Sequence, residues 1–326
     1  MSQLIQLKRR IKAITTIKKI TSAMRLISRS IHARFDKKKK FLFNYHATIT
    51  DYMTQLRTLH PHWAYQLTQN NHATEQDSSD SQNISAHKDL FIIIGSQKDL
   101  CGNFNSPLYY WIDSHNKILS QQNTHIISYG KKISDYLKKR SITIFQEYKE
   151  LKPSILNKQA EDLLHTILPI TSPENFTHKQ LHTAAYNSVT LVYLSSKTFF
   201  NRTLQIIPLL PLITPSDNTQ QNNQIDHAQA YLTHNKSTRN HTFEADEQEH
   251  TPEEILYSLS YEYLRSCIYI AFFQSLHAEQ SARFISMDNA TRNAETFLTS
   301  MKSHYNKMRQ AKITKELAEL SGAFDS

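Results

Sequence analysis

The sequence predicts an α/β chain: a long antiparallel coiled coil of the N- and C-terminal helices, with an α/β module between them. Three observations carry that expectation. The opening 60 residues contain neither Pro nor Gly, and nor do the 69 between Pro252 and Gly322. Both stretches repeat apolar residues at steps of three and four. Between them the pattern switches to short apolar runs separated by helical ones. At 326 residues, 39% hydrophobic and 21% charged, the chain is long enough to bury a core and reads as folded and soluble.

In the first helix, residues 1–60, the apolar positions run Leu4, Leu7, Ile11, Ile14, Ile17, Ile20, Met24, Ile27, Ile31 and Phe35. The steps alternate between three and four, with a local run of threes around Ile17. The seam resumes at Leu42, Tyr45, Ile49, Tyr52, Leu56 and Leu59, and a helix of this span is about 80 Å long. The last helix, residues 252–326, opens with Thr251 as N-cap, Pro252 at the first helical position, and Glu253 and Glu254 at the positive end of the dipole. Its seam follows Met287, Ala290, Ala294, Phe297, Met301, Tyr305 and Met308. Two such helices must bury their seams, and each is the nearest partner for the other, antiparallel.

The module, residues 88–215, reads as strands at Leu90–Ile94, Thr124–Ser128, Ile142–Tyr148, Val189–Leu194 and Leu204–Leu210. Helical stretches at Leu108–Ser120, Lys131–Lys139, Ile155–Leu168 and Lys179–Asn187 separate the first four, which implies a largely parallel sheet. Residues 61–87 read as a polar linker and 216–251 as a polar, flexible insertion, both poor in apolar residues.

Charge is concentrated at one end. From Met1 to Lys40 there are 13 Lys/Arg against the single acid Asp36, a net of +12, so with +9 overall the other 286 residues sum to −3. A basic segment on a nearly neutral body points to nucleic acid, anionic lipid or an acidic protein surface. Other chemistries are excluded or weak. The four glycines, Gly95, Gly102, Gly130 and Gly322, fit neither a dinucleotide fingerprint nor a P-loop. Cys101 and Cys267, 166 positions apart, make neither a disulfide framework nor a zinc motif. No apolar run approaches the roughly 20 residues that span a bilayer. His178 and His182 share a helix face at i, i+4, but no third ligand stands near them, and they read as surface histidines. Cys101 has no assignable base and reads as a structural thiol. His60-Pro61-His62 reads as a turn. No catalytic, cofactor or metal residue emerges.

The terminal helices carry a specific likeness. Leu7-Lys8-Arg9-Arg10-Ile11-Lys12, then Lys19-Ile20-Thr21 and Ala23-Met24, resembles the N-terminal signature of the gamma subunit of F-type ATP synthases. Glu279-Gln280-Ser281-Ala282-Arg283, Met287-Asp288-Asn289-Ala290-Thr291, Asn293-Ala294, Tyr305-Asn306, Arg309-Gln310-Ala311, Ile313-Thr314-Lys315-Glu316-Leu317 and Gly322-Ala323 resemble that family's C-terminal motif. The middle agrees more loosely, through Leu100-Cys101-Gly102 with Asn105 and through Pro208–Pro211. One departure stands out. Where the family has Ser-Asp, a variable residue and Gly before Leu-Cys-Gly, this chain has Ser96-Gln97-Lys98-Asp99, which puts the conformation of that loop in question. The paired-cysteine regulatory insert of chloroplast relatives is absent.

The resemblance implies a Rossmann-like module as the foot of a central stalk that meets the epsilon subunit and the c-ring. The terminal helices would form a shaft inside a ring of alpha and beta subunits. Catalysis would belong to the beta subunits, and this chain would need no cofactor, metal or nucleic acid. Met24 would face the mobile region of a beta subunit, and Arg309 with Gln310 would engage a beta-subunit loop. The basic shaft residues Lys8, Arg9, Arg10, Lys12, Lys18 and Lys19 would meet acidic surfaces of the surrounding subunits. A family motif beginning this close to Met1 implies the cytoplasmic side of a bacterial inner membrane, reached peripherally through the complex. The rival readings are a divergent paralogue that no longer couples, a nucleic-acid-binding coiled coil, and an α/β enzyme with helical arms.

Overall fold

The computed structural model describes residues 2–59, 88–168, 186–196, 198, 200–210 and 252–324. The expected linker and insertion, the His60–His62 turn, Thr251, the His178/His182 pair and most of the expected helix Lys179–Asn187 lie outside those residues. The chain divides into two compact units. One comprises residues 1–33, 100–102 and 280–326, the other residues 34–99 and 103–279. Two long helices contribute to both: α1 (Ser2–Leu59) and, last in the chain, α6 (Pro252–Phe324).

The second unit contains the α/β module. Its elements in chain order are β1 (Asp89–Ile94), α2 (Ser106–Ser114), α3 (Asn116–Leu119), β2 (Thr124–Tyr129), α4 (Lys131–Lys139), β3 (Gln146–Tyr148), α5 (Leu156–Ile167), β4 (Ser188–Ser196) and β5 (Arg202–Leu210). The five strands form one sheet in the order β3-β2-β1-β4-β5. Every neighbouring pair is parallel except the β4–β5 hairpin. A parallel strand is covered on both faces, so a near-continuous apolar run is what it requires. The central strand β1 supplies one: Leu90, Ile92, Ile93 and Ile94 are wholly inaccessible to solvent.

Two expected elements differ from the sequence reading. The stretch Leu108–Ser120 divides at His115, whose Nδ1 lies 2.9 Å from the Trp111 carbonyl while its ring stacks on the Trp111 indole, centroids 4.6 Å apart. The strand expected at Ile142–Tyr148 is paired only over Gln146–Tyr148, because Ser141 turns the chain at φ 59° and pairing with β2 starts at Ile127. At the start of α4, Gly130 has φ 101°, and a Cβ there would lie 2.5 Å from the Ser96 carbonyl oxygen. Only glycine fits that approach.

Within this unit α1 and α6 run antiparallel. The Phe35 ring meets Phe273 edge-on at 5.1 Å, His46 Nδ1 lies 2.8 Å from Ser266 Oγ, and Ser260 lies against Met53. The buried stripe on α1 is Phe35, Phe43, Ala47, Ile49 and Met53. Tyr45 and Tyr52, expected in the seam, are 43% and 39% exposed. The His46 and Met53 side chains turn inward beside them, one position along the helix. Along the same stretch α6 also buries Ile268, Ala271, Phe272 and Leu276. Phe272 packs on Tyr129 at 4.7 Å, and Tyr193 donates its hydroxyl to Gln274 Oε1 (3.0 Å).

Candidate functional site

With no cluster of catalytic groups in the sequence, the candidate site is a surface: the paired helices of the first unit. Their pairing follows from three cross-helix contacts. Arg25 Nη1 donates to Asp288 Oδ1 (2.8 Å), Thr291 Oγ1 to Thr21 Oγ1 (2.9 Å), and Lys18 Nζ to Glu295 Oε1 (2.9 Å). As the number falls on α1 it rises on α6, so the helices are antiparallel here too.

The buried positions show a more regular seam than the apolar pattern suggests. On α1 the inward positions are Leu4, Leu7, Ile11, Ile14, Lys18, Thr21, Arg25, Ser28 and His32, all buried or half-buried. The steps alternate three and four without a fault. On α6 they are Met287, Thr291, Ala294, Leu298, Met301, Tyr305, Met308 and Lys312, again without a fault. The irregularity read around Ile17 is therefore a misassignment: between Lys18 and His32 the seam is polar. Ile17, Ile20 and Ile27 are 51%, 55% and 51% exposed, and Phe297 is 63% exposed. An apolar seam and an inward-facing stripe coincide in most coiled coils. Here specific polar pairs replace apolar ones at the centre, which sets register at some cost in stability.

Those pairs account for the local electrostatics. Hydrogen bonding from Arg25, with Arg292 Nε 2.9 Å from the other oxygen, holds the Asp288 carboxyl below the ordinary carboxylate range. Lys18 does the same for Glu295. The apolar stripe that the seam leaves outside is Ile17, Ile20, Met24 and Ile27, with Met24 half-buried. Flanking it, Lys8, Arg9, Arg10, Lys12 and Lys19 are exposed, while Lys18 is half-buried in its ion pair. Arg309 and Gln310 are exposed on the far part of α6. The structure thus brings Lys18 into the seam and leaves the other sequence-derived residues on the surface. What sequence reasoning missed was the polar layer Thr21, Arg25 and Ser28 with Asp288 and Thr291. Its signal was present as a polar residue one position beyond each displaced isoleucine.

The cysteines carry no site. Cys101 is buried, and burial pushes the Cys267 thiol up to about 12. The questioned loop is well bonded. Asp99 does not occupy the left-handed region; Leu100 does, at φ 69°, with Gly102 at φ 60°. Losing the family's glycine at position 99 therefore costs no backbone strain.

The gamma chain of the ATP synthase of Clostridium perfringens strain 13 is 28% identical to this protein, over 99% of this chain and 98% of the relative. That of Halothermothrix orenii is 24% identical over 100% and 99%. A family model described as ATP synthase matches residues 3–326. The chain belongs to the ATP synthase gamma-chain family. A gamma-family chain is a non-catalytic subunit, in keeping with a candidate site that is a surface. Among solved structures, a chain of the Euglena gracilis mitochondrial ATP synthase (OSCP/F1/c-ring) superposes with a TM-score of 0.59 at 15% identity. The match covers 99% of this chain and 94% of that one, a likeness of fold. Among the described residues, no helix of this gamma-family chain is long and apolar enough to cross a membrane.

Proposed function

We propose that the chain is the central-stalk rotor subunit of a proton-translocating F-type ATP synthase. It couples rotation of a membrane c-ring to conformational change at catalytic sites on the beta subunits. The supporting observation is the antiparallel pair itself. Its seam is internally bonded, its two helices carry no Pro or Gly from residue 2 to 59 and from 253 to 321, and its outer faces differ. The α1 outer face carries exposed isoleucines and basic residues with no acid between Ser2 and Ala33, while the α6 outer face mixes both signs, Arg292, Lys302, Lys307, Arg309 and Lys315 with Glu295, Glu316 and Glu319. Such a shaft, turning inside a ring of alpha and beta subunits, meets each catalytic site with a different face. Each site is then biased toward a different conformation, a coupling free energy delivered by rotation.

In this reading residues 1–60 and 252–326 are the shaft and residues 88–215 the foot, which meets the epsilon subunit and the c-ring. Met24 meets the mobile region of a beta subunit, and Arg309 and Gln310 a beta-subunit loop. The exposed basic residues Lys8, Arg9, Arg10, Lys12 and Lys19 face acidic surfaces. The complex sits at the cytoplasmic side of a bacterial inner membrane, which this chain touches peripherally. The test is co-expression with the cognate alpha and beta subunits, then ATPase assay with and without this chain. Chain-dependent multi-site turnover in a stoichiometric complex supports the rotor reading; a chain that fails to enter the ring removes it.

A further inference from the structure

We propose that Glu279 and Gln97 are positioning residues for torque: together they lock the α/β module to the returning helix α6 against sliding and twisting. The inference rests on the rotor reading, and every contact it uses lies within the second unit. Glu279 sits on α6 and is 2% exposed, yet it is a carboxylate. Its two oxygens accept from two consecutive backbone amides of the loop after β1: Gln97 N–H donates to Oε2 (2.8 Å) and Lys98 N–H to Oε1 (3.2 Å).

The same loop is bonded from three other directions. The Gln97 side chain donates from Nε2 to the Gly95 carbonyl (2.8 Å), and its Oε1 accepts from Leu151 N–H (2.8 Å), beyond β3. Buried Asn105 accepts from Ser96 N–H at Oδ1 (3.0 Å) and donates from Nδ2 to Ser96 Oγ (2.8 Å). At the surface Asp99 pairs with Lys132 at 2.9 Å. A loop bonded in this way can hold the left-handed Leu100 that follows it, since a strained residue persists only where its surroundings over-determine it.

Apolar side chains also attach the module to α6. Apolar packing such as Tyr129 on Phe272 is non-directional; it opposes separation but little opposes slip. Directional bonds oppose slip, and those that join the module to α6 include Arg265 to Asn157 at 3.2 Å, Tyr193 to Gln274 at 3.0 Å, Ser196 to His277 at 3.3 Å, and the loop to Glu279. Only the last couples a buried charge to the backbone, and charge-assisted bonds are about twice as strong as neutral ones. Because it holds backbone amides, it grips the loop whatever side chains stand there. A rotor driven through its foot delivers torque across this joint.

The test uses Glu279→Gln, which keeps shape and volume, and Gln97→Ala, each in the assembled complex reconstituted into sealed vesicles. Hydrogen exchange at the 97 and 98 amides should accelerate at least tenfold in Glu279→Gln. ATP-driven proton pumping against an imposed gradient should fall several-fold in both variants, with ATP hydrolysis in the absence of a gradient unchanged. A purely structural role would lower hydrolysis and pumping together. Faster exchange with unchanged pumping overturns the torque role, and unchanged exchange overturns the bond itself. If wild-type turnover does not depend on this chain, the rotor reading and the joint's role fail together, while exchange still reports on the bond.

Discussion

At the scale of single residues, buried polar groups on α1 make two sharp predictions. Ser28 is 1% exposed and its hydroxyl has no hydrogen-bond partner among the described residues. A buried unmet polar group costs about 1–3 kcal/mol, and Ala is also the better helix former. Ser28→Ala should therefore raise the stability of the chain by about 1 kcal/mol, read as a higher thermal midpoint; a lower midpoint would show that the hydroxyl is satisfied. His46 makes the second. The Ser266 hydroxyl donates to the Tyr263 carbonyl at 2.8 Å, so His46 Nδ1 is the donor in its 2.8 Å bond to Ser266 Oγ. Burial lowers the His46 pKa from 6.5 to about 4. The unfolded chain thus binds the extra proton between those values, and stability rises with pH across that window. The contribution is full above pH 6.5, is lost as pH falls toward 4, and is constant below. Its size is up to roughly 3 kcal/mol at 1.36 kcal/mol per unit. Denaturant unfolding from pH 7 to pH 4 should show the slope, and His46→Gln should remove it.

At the scale of elements, the instructive case is α1. Its apolar residues announce a coiled coil correctly, and the helix from Ser2 to Leu59 is where the lack of Pro and Gly puts it. The register within it was not legible. Counting apolar residues selects Ile17, Ile20 and Ile27 for the seam, yet the inward positions are Lys18, Thr21, Arg25 and Ser28. The choice depends on Asp288, Thr291 and Glu295, which lie some 270 residues away and make the polar layer satisfiable. No local periodicity contains that information. Asp288 is the hub of the layer, held by both Arg25 and Arg292. Asp288→Ala should therefore destabilise the pair more than Arg25→Ala, which leaves Arg292 in place. The double-mutant cycle should return a coupling of about 1 kcal/mol, the upper range for partly exposed pairs. A coupling near zero would mean the pair sets register without adding stability. The strands tell the opposite story. β1 and β2 fall within a residue of their apolar patterns, because burial on both faces leaves a parallel strand little choice of composition.

At the scale of the whole molecule, function rests on surfaces that only assembly can reveal. If Arg309 and Gln310 engage a beta-subunit loop, the double variant Arg309→Ala with Gln310→Ala should lower the ATPase rate of the assembled complex several-fold without blocking assembly. Unchanged turnover would remove both residues from the mechanism, and both are exposed, so folding is not at stake. The sequence by itself determined the class of fold, the two long helices and the family. These follow from local properties: where Pro and Gly are missing, where apolar residues repeat, and which short motifs stand at each end. The tertiary structure alone decided which face of α1 turns inward and how the Gln97–Asp99 loop keeps its shape. It alone also made a buried Glu279 the partner of that loop. All three depend on residues far apart in the chain meeting in space, where the free energy of burying a polar group turns on whether its partner is there.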